Sequence, residues 1–309
     1  MIKHVRKYLL VFLILLLVVP LSGCQLPGLP AEQGNKGTIK ITALNTTESQ
    51  IIANIISQLI EHDTNLKTTV VNNLGSSPLE HQALLRKNAD IEAAAYSGDQ
   101  LTTVLGLPAS KDPKVASNTV RKQLKKRYDQ TYMPSFGFSD TYSFMVKPST
   151  AKKYGLNNVS DLKKVENNFS LGTAADWPNR KGDGYRDFSR DYGITFNTIR
   201  PMNIGLVYSA LQKGEMDTVL GYSTDGRIDS YHLKLLNDDK HFFPPYNSSM
   251  VVNNYVLREH PQLKPVLHKL DGKIGIHQMR SMNYQVDNEL LEPSVVAHQF
   301  LAQNNYFEK

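Results

Sequence analysis

From Thr38 onward the chain alternates short runs of period two with longer runs of helical period. Thr38-Ile39-Lys40-Ile41-Thr42-Ala43-Leu44 places apolar side chains at alternate positions, as a strand does. Next, Ile51, Ile52, Ile55, Ile56, Leu59 and Ile60 recur at the spacing of one broad apolar helix stripe, and Thr47 with Gln50 resembles a capping box at its start. The unit then repeats. Leu66 to Val71 reads as a strand, Ser77 as a helix N-cap followed by Pro78 at the first helical position and Glu80 three after the cap, and Asp90 to Ala95 as the next strand. Further strands are predicted at Tyr142–Val146, Phe169–Gly172 and Asp217–Gly221, and helices near 203–213, 261–270, 276–284 and 293–303, with no internal repeat. Alternation of this kind predicts an α/β protein with largely parallel sheets, in which ligands sit beyond the carboxyl ends of strands.

The first residues lie outside that pattern. Lys3, Arg6 and Lys7 precede an apolar run from Tyr8 to Val19 that is too short for the ~20 residues a membrane span needs, so residues 1–23 read as a secretory signal. The run ends in Leu21-Ser22-Gly23-Cys24, which resembles a bacterial lipobox, and Cys24 is the single cysteine of the chain. A lone cysteine forms no internal disulfide, and an anchor through a lipidated Cys24 is the expectation. Residues 24–37, rich in proline and glycine, read as a flexible tether.

The formal charge of +6 falls to about +3 without Lys3, Arg6 and Lys7, too mild to indicate nucleic acid. The basic stretch Arg121 to Arg127 has helical spacing with Val120 and Leu124 on its apolar side, and reads as a solvated helix face. The sequence holds no HExxH, CxxC, Walker-type GxxxxGK or GxSxG motif, and no GxGxxG after a strand; Asp183-Gly184 and Asp225-Gly226 lack calcium-loop spacing and read as turns. The expectation is a binding protein with no metal or cofactor rather than an enzyme.

The chain has 15 tyrosines, 11 phenylalanines and one tryptophan. Tyr96 and Tyr222 each stand where a strand gives way to a loop, Tyr246 sits in the turn Phe243-Pro244-Pro245-Tyr246-Asn247, and Tyr142 opens a strand. Each alone reads first as an ordinary half-buried tyrosine with its hydroxyl satisfied; the functional case rests on the set, which could face one cleft. A trimethylammonium group has charge but no N–H, so aromatic faces and carboxylates are what can hold it, each desolvated cation–π contact contributing up to about 2 kcal/mol.

Through Ala43-Leu44-Asn45-Thr46-Thr47-Glu48-Ser49-Gln50, Asn72 to Ser77, Asn179 to Tyr185, Gly221-Tyr222-Ser223-Thr224-Asp225-Gly226-Arg227 and His241 to Tyr246, the sequence resembles the substrate-binding lipoproteins of Opu-type osmoprotectant ABC importers for glycine betaine, carnitine and choline. The resemblance implies a two-lobed type II periplasmic-binding-protein fold that clamps its ligand between lobes and delivers it to a membrane permease. It places residues 38–142 and 246–309 in the first lobe and 143–245 in the second. It carries the aromatic cage onto Tyr96, Tyr142, Tyr222 and Tyr246, with Asn45, Thr46, Ser76 and Ser77 near the ligand's other end; helix capping is the equal alternative for Thr46 and Ser77. In Tyr96-Ser97-Gly98-Asp99, the aspartate resembles the choline-restricted branch, where broad-specificity relatives have threonine. At about 5 Å and an effective dielectric near 20, such a charge is worth about 3 kcal/mol, attractive for choline and repulsive for a ligand carboxylate. Capping of the helix that begins near Gln100 is the alternative role for Asp99. The rival functions are broad osmoprotectant capture, or an enzyme or adhesin on the same scaffold.

Overall fold

The computed structural model describes residues 37–175, 177–180 and 182–308. The expected signal segment 1–23, Cys24 and the tether as far as residue 36 lie outside the described residues. The chain builds two five-stranded sheets. The first contains β1 (Thr38–Leu44), β2 (Lys67–Leu74), β3 (Ile91–Tyr96), β4 (Gln130–Tyr132) and the late strand β10 (Ser248–Asn253), in the order β2-β1-β3-β10-β4. The second contains β5 (Tyr142–Val146), β6 (Ser170–Ala174), β7 (Thr198–Met202), β8 (Thr218–Tyr222) and β9 (Lys234–Leu235), in the order β7-β6-β8-β5-β9. Tyr142, counted with the first lobe from sequence, is therefore the first residue of the second sheet.

Helices α1 (Thr47–Asp63), α2 (Ser77–Leu85) and α3 (Pro113–Tyr128) accompany the first sheet, and α4 (Pro148–Tyr154), α5 (Tyr185–Tyr192), α6 (Ile204–Lys213) and the short α7 (Arg227–Ser230) the second. The chain then returns through β10 to α8 (Asn254–Glu259), α9 (Leu263–His268), α10 (Ile276–Asp287) and α11 (Pro293–Gln303). The isoleucines and leucine that define the stripe of α1 are all fully buried against the first sheet and α9 to α11. Burying each such side chain is worth about 1.5–3 kcal/mol, which is why that stripe was the clearest helix signal in the chain. Val120 and Leu124 of α3 are buried while its basic residues Arg121, Lys122, Lys125, Lys126 and Arg127 face solvent. In the second lobe the core is aromatic: Phe144 and Phe188 stack at 4.8 Å around the fully buried Trp177.

Two caps shift by one residue from the sequence expectation. Thr46, in extended backbone, caps α1 by accepting from the Ser49 amide at 3.4 Å, so Thr47 is already helical. Ser76, also extended, holds the N-cap position of α2 and leaves Ser77 buried as the first helical residue, with Pro78 second. Both changes follow from backbone geometry, since an N-cap must be non-helical.

The sheets are mixed rather than largely parallel. β1 pairs in parallel with β2 and β3, and β6 with β7 and β8. β10 runs antiparallel to β3 and β4, and β5 to β8 and β9. The reason is connectivity. β5 and β10 are the strands by which the chain enters one sheet from the other, so they start at the edge where the parallel strands end. β10 is not predicted from sequence because Met250-Val251-Val252 is a short apolar run with no alternation, yet the strand is buried throughout, as befits a central position.

The lobes also meet along a seam. Arg280 on α10 donates through Nε to the Ser223 carbonyl at 2.8 Å and through Nη1 to Asp229 Oδ1 at 2.9 Å, and Asn283 donates to the Thr224 carbonyl at 2.9 Å. Gly226 permits this approach: a Cβ there would stand 2.4 Å from Tyr284 Cβ and 2.5 Å from the Arg280 carbonyl. Each lobe keeps its own core, so Gly226→Ala should push the lobes apart without unfolding either. Small-angle scattering is expected to show a larger radius of gyration at an unaltered melting temperature; an unchanged radius would show that the seam tolerates a side chain.

Candidate ligand-binding cleft

Strand ends set the site. β8 finishes at Tyr222 exactly where β5 begins, and the ladder pairs Tyr142 with Tyr222, whose rings lie 5.1 Å apart at 31°. In the first sheet β3 finishes at Tyr96 opposite Ser248, and Tyr246 lies two residues ahead of that pair. The Tyr246 ring lies over Gly98, where a Cβ would meet it at 3.1 Å and the Pro245 carbonyl at 2.9 Å. The Tyr208 hydroxyl receives the Tyr222 amide at 2.7 Å and donates to the Tyr222 carbonyl at 3.2 Å, fixing that corner of backbone. All four tyrosines line one cavity of about 610 Å³ between the two sheets.

Each ring from the first-sheet side is tied at its hydroxyl. Tyr96 donates to Glu48 Oε1 at 2.5 Å, and Tyr246 donates to Asp183 Oδ2 at 3.5 Å. Burial, then the negative charge of Glu48 and of Asp183 respectively, pushes both phenols above their usual range, so both rings stay neutral.

The charges around the rings are arranged in pairs. Arg180 lines the cavity with its guanidinium 5.5 Å over the Tyr142 ring, and Asp183 takes its Nε at 3.0 Å and Nη2 at 2.8 Å. Burial works against the Arg180 charge, but these hydrogen bonds outweigh it and raise its pKa. The Asp183 carbonyl in turn accepts the Trp177 indole N–H at 2.7 Å, which fastens the segment to the second core. Arg227, also in the lining, is held by both oxygens of Asp225, at 2.8 Å through Nε and 2.5 Å through Nη2. The two Asp-Gly sites that read as turns thus supply counter-ions to two arginines.

Asp99 lines the cavity, half-buried, and its Oδ1 accepts from the Thr103 hydroxyl at 3.0 Å. Its backbone is already helical and its side chain makes no cap bond to an amide, so capping is not what the carboxylate does. Asn45 and Thr46 line the cavity too, Thr46 capping α1 at the same time. Ser76 does not reach the lining, and neither does Ser77. Among the described residues no group of three or more His, Cys, Asp or Glu could hold a metal ion, and no helix is long and apolar enough to cross a membrane.

Several lining residues were not singled out from sequence: Glu48, Asp140, Arg180, Asn203, Thr224, Asp225, Arg227, Asn283 and Asp287. Glu48, Arg180, Thr224, Asp225 and Arg227 stand inside the quoted motifs, so the signal was present but undifferentiated. Asn283 and Asp287 belong to α10, whose helical pattern carries no mark of which face meets the opposite lobe.

Comparison with known proteins places these observations. Residues 37–303 match the family model described as the substrate binding domain of ABC-type glycine betaine transport system. The chain is 51% identical over 305 residues to the carnitine transport binding protein OpuCC of Listeria monocytogenes, covering 98% of each chain. The crystal structure of a glycine betaine/carnitine/choline ABC transporter superposes with a TM-score of 0.84 at 51% identity, covering 87% of this chain and 100% of that one. Apo YehZ of Escherichia coli shares the fold, with a TM-score of 0.72 at 21% identity over 87% of this chain and 99% of that one. These relatives are binding proteins of importers rather than enzymes, and their fold is the bilobed one in which two α/β lobes face each other across a cleft. The chain belongs to the family of substrate-binding domains of ABC-type glycine betaine transport systems, and is the extracytoplasmic binding component of an osmoprotectant importer.

Proposed function

We propose that this protein captures a quaternary-ammonium osmoprotectant, choline in preference to glycine betaine or carnitine, and hands it to its membrane permease while tethered through a lipidated Cys24. The observation that carries the reading is the convergence of Tyr96, Tyr142, Tyr222 and Tyr246 on one cavity bordered by Asp99. Four phenol rings offer negative faces to a methylated cation that donates no hydrogen bond, and three or more such contacts at up to about 2 kcal/mol each supply most of the about 8 kcal/mol that micromolar binding requires. The cation preference follows from charge. Both arginines in the lining are already matched by Asp183 and Asp225, whereas among the described residues the Asp99 carboxylate accepts from a threonine hydroxyl and faces no cation. A ligand carboxylate therefore meets an uncompensated negative group at that end. On this reading Asn45 and Thr46, both in the lining, receive a ligand hydroxyl.

A second reading, broad capture that includes zwitterions, has one observation in its favour: the Listeria monocytogenes relative is named for carnitine transport. Calorimetric titration of the purified protein with choline, glycine betaine and carnitine separates the two. Tight binding of choline alone is the expected result; equal binding of all three would discard the selectivity and keep the cage, and binding of none would sink the ligand class. Tyr222→Ala should weaken choline binding by about 100-fold, since it removes one ring and unpacks Tyr142 beside it. Asp99→Thr should shift the ratio of zwitterion to choline affinity by about 100-fold toward the zwitterions, the equivalent of about 3 kcal/mol. Cys24→Ser should release the protein from the membrane fraction of cells and abolish labelling by a fatty-acid analogue; persistence of both would rule out the anchor.

A further inference from the structure

Glu48 lies in the first turn of α1, beside the Tyr96 hydroxyl, and is 5% exposed. A helix N-terminus favours negative charge at that position. Its two oxygens serve different parts of the molecule. Oε1 accepts from the Tyr96 phenol at 2.5 Å, and Oε2 accepts from Asn283 Nδ2 on α10 at 3.3 Å. The same Asn283 amide donates across the seam to the Thr224 carbonyl at 2.9 Å, and the Thr224 hydroxyl also faces Glu48. Thr224 faces a second carboxyl as well, that of Asp140, on the segment by which the chain first crosses between sheets. Asp140 Oδ1 is buried with no hydrogen-bond partner among the described residues, and its amide donates to the Tyr246 carbonyl at 3.1 Å on the returning crossing.

We propose that Glu48 is a positioning residue of the cavity, holding the Tyr96 ring in place and enriching its face toward a cation, and that it gains its full set of partners only when the lobes are together. The role rests on the reading of the cavity as a quaternary-ammonium site. A phenol that donates to a carboxylate carries more electron density in its ring, which strengthens its attraction for a cation. Thr224 comes from the opposite lobe, so closure completes the shell around Glu48 and couples one wall of the cavity to the seam.

Closure has a second consequence. Glu48 faces Asp140 and Tyr96, and Asp140 faces Glu48 and, further off, Asp225, which Arg227 holds. Burial pushes Glu48 up, and burial followed by the Glu48 charge pushes Asp140 up. Tyr96 and Asn283 donate to Glu48, whereas Asp140 keeps one buried oxygen without a partner among the described residues, and its burial beside the Glu48 charge outweighs the hydrogen bonds it accepts from Thr224, so the proton of the pair is placed on Asp140. A carboxyl whose pKa is higher in the closed form than in the open, solvated cleft takes up a proton on closing. Affinity is then fully present below the open-form value and falls as pH rises through the closed-form value.

The test is calorimetric titration of the purified protein with choline from about pH 5 to about pH 9, in buffers of different ionisation heat so that protons taken up are counted. In the wild type, affinity should fall with rising pH and binding should take up protons. Glu48→Gln should bind about tenfold more weakly at the acid end, because its amide N–H₂ must face a donor, and a thermal melt verifies that it is folded. Asp140→Asn should remove the pH dependence and the proton uptake. A Glu48→Gln variant within about twofold of wild type, or a wild type whose affinity is flat with no proton taken up, would overturn the proposal. A wild type that binds none of choline, glycine betaine and carnitine removes the ligand class and this role with it, a result distinct from binding that ignores the Glu48 substitution.

Discussion

The geometry of the cleft depends on one constraint: the chain passes between its two sheets twice, and each passage enters a sheet at the edge where the parallel strands finish. That reverses β5 and β10 relative to their neighbours and places the first residues of each opposite the last residues of β8 and β3. Aromatic side chains at strand ends are thereby brought together from positions far apart in sequence, without any loop having to be folded over the site. Ladder hydrogen bonds fix the register, and a slip of one residue would turn Tyr142 or Tyr222 to the other face of its sheet. The two sheets share the same order of strand types, two parallel neighbours, then the third parallel strand, the antiparallel entrant and a short edge.

Charge in the cleft follows a similar economy. Arg180 and Arg227 are each gripped by both oxygens of an aspartate two or three residues away in sequence, so their positive ends are spent locally and their flat guanidinium faces lie on Tyr142 and Tyr208. They serve as rigid walls more than as free cations. The carboxyls of Glu48 and Asp140 have no such grip, and burial pushes both upward from the usual carboxylate range.

Much of this was legible in the sequence because it rests on local chemistry. The stripe of α1, the strand β1 and the bounds of α11 follow from apolar period alone, and the tyrosines at strand ends announced themselves by position. What escaped was set by distant partners. β10 has no alternation because both its faces are covered; Gly226 and Asn283 look unremarkable until the opposite lobe is laid against them; and Ser76, matched by motif, ends at a helix cap outside the lining. The mixed direction of the sheets was likewise invisible, because it is a property of the crossings and not of any strand. Asp99 is the intermediate case: its placement at the cavity edge could be anticipated from its motif, but only the helical backbone at that residue and its bond to Thr103 separate it from a cap.

Trp177 is the one tryptophan of the chain, fully buried in the second lobe against Phe144, Phe188 and Tyr185. Its indole N–H is bonded to the Asp183 carbonyl, Asp183 grips Arg180, and Arg180 lies on the Tyr142 face at the cavity wall. Excited at the red edge of the absorption, where its 15 tyrosines do not absorb, the protein therefore carries a single indole emitter connected by three successive contacts to its binding site. Its wavelength reports the dryness of one lobe and its intensity the state of one wall, so the second lobe can be watched in solution without a label and without any signal from the first.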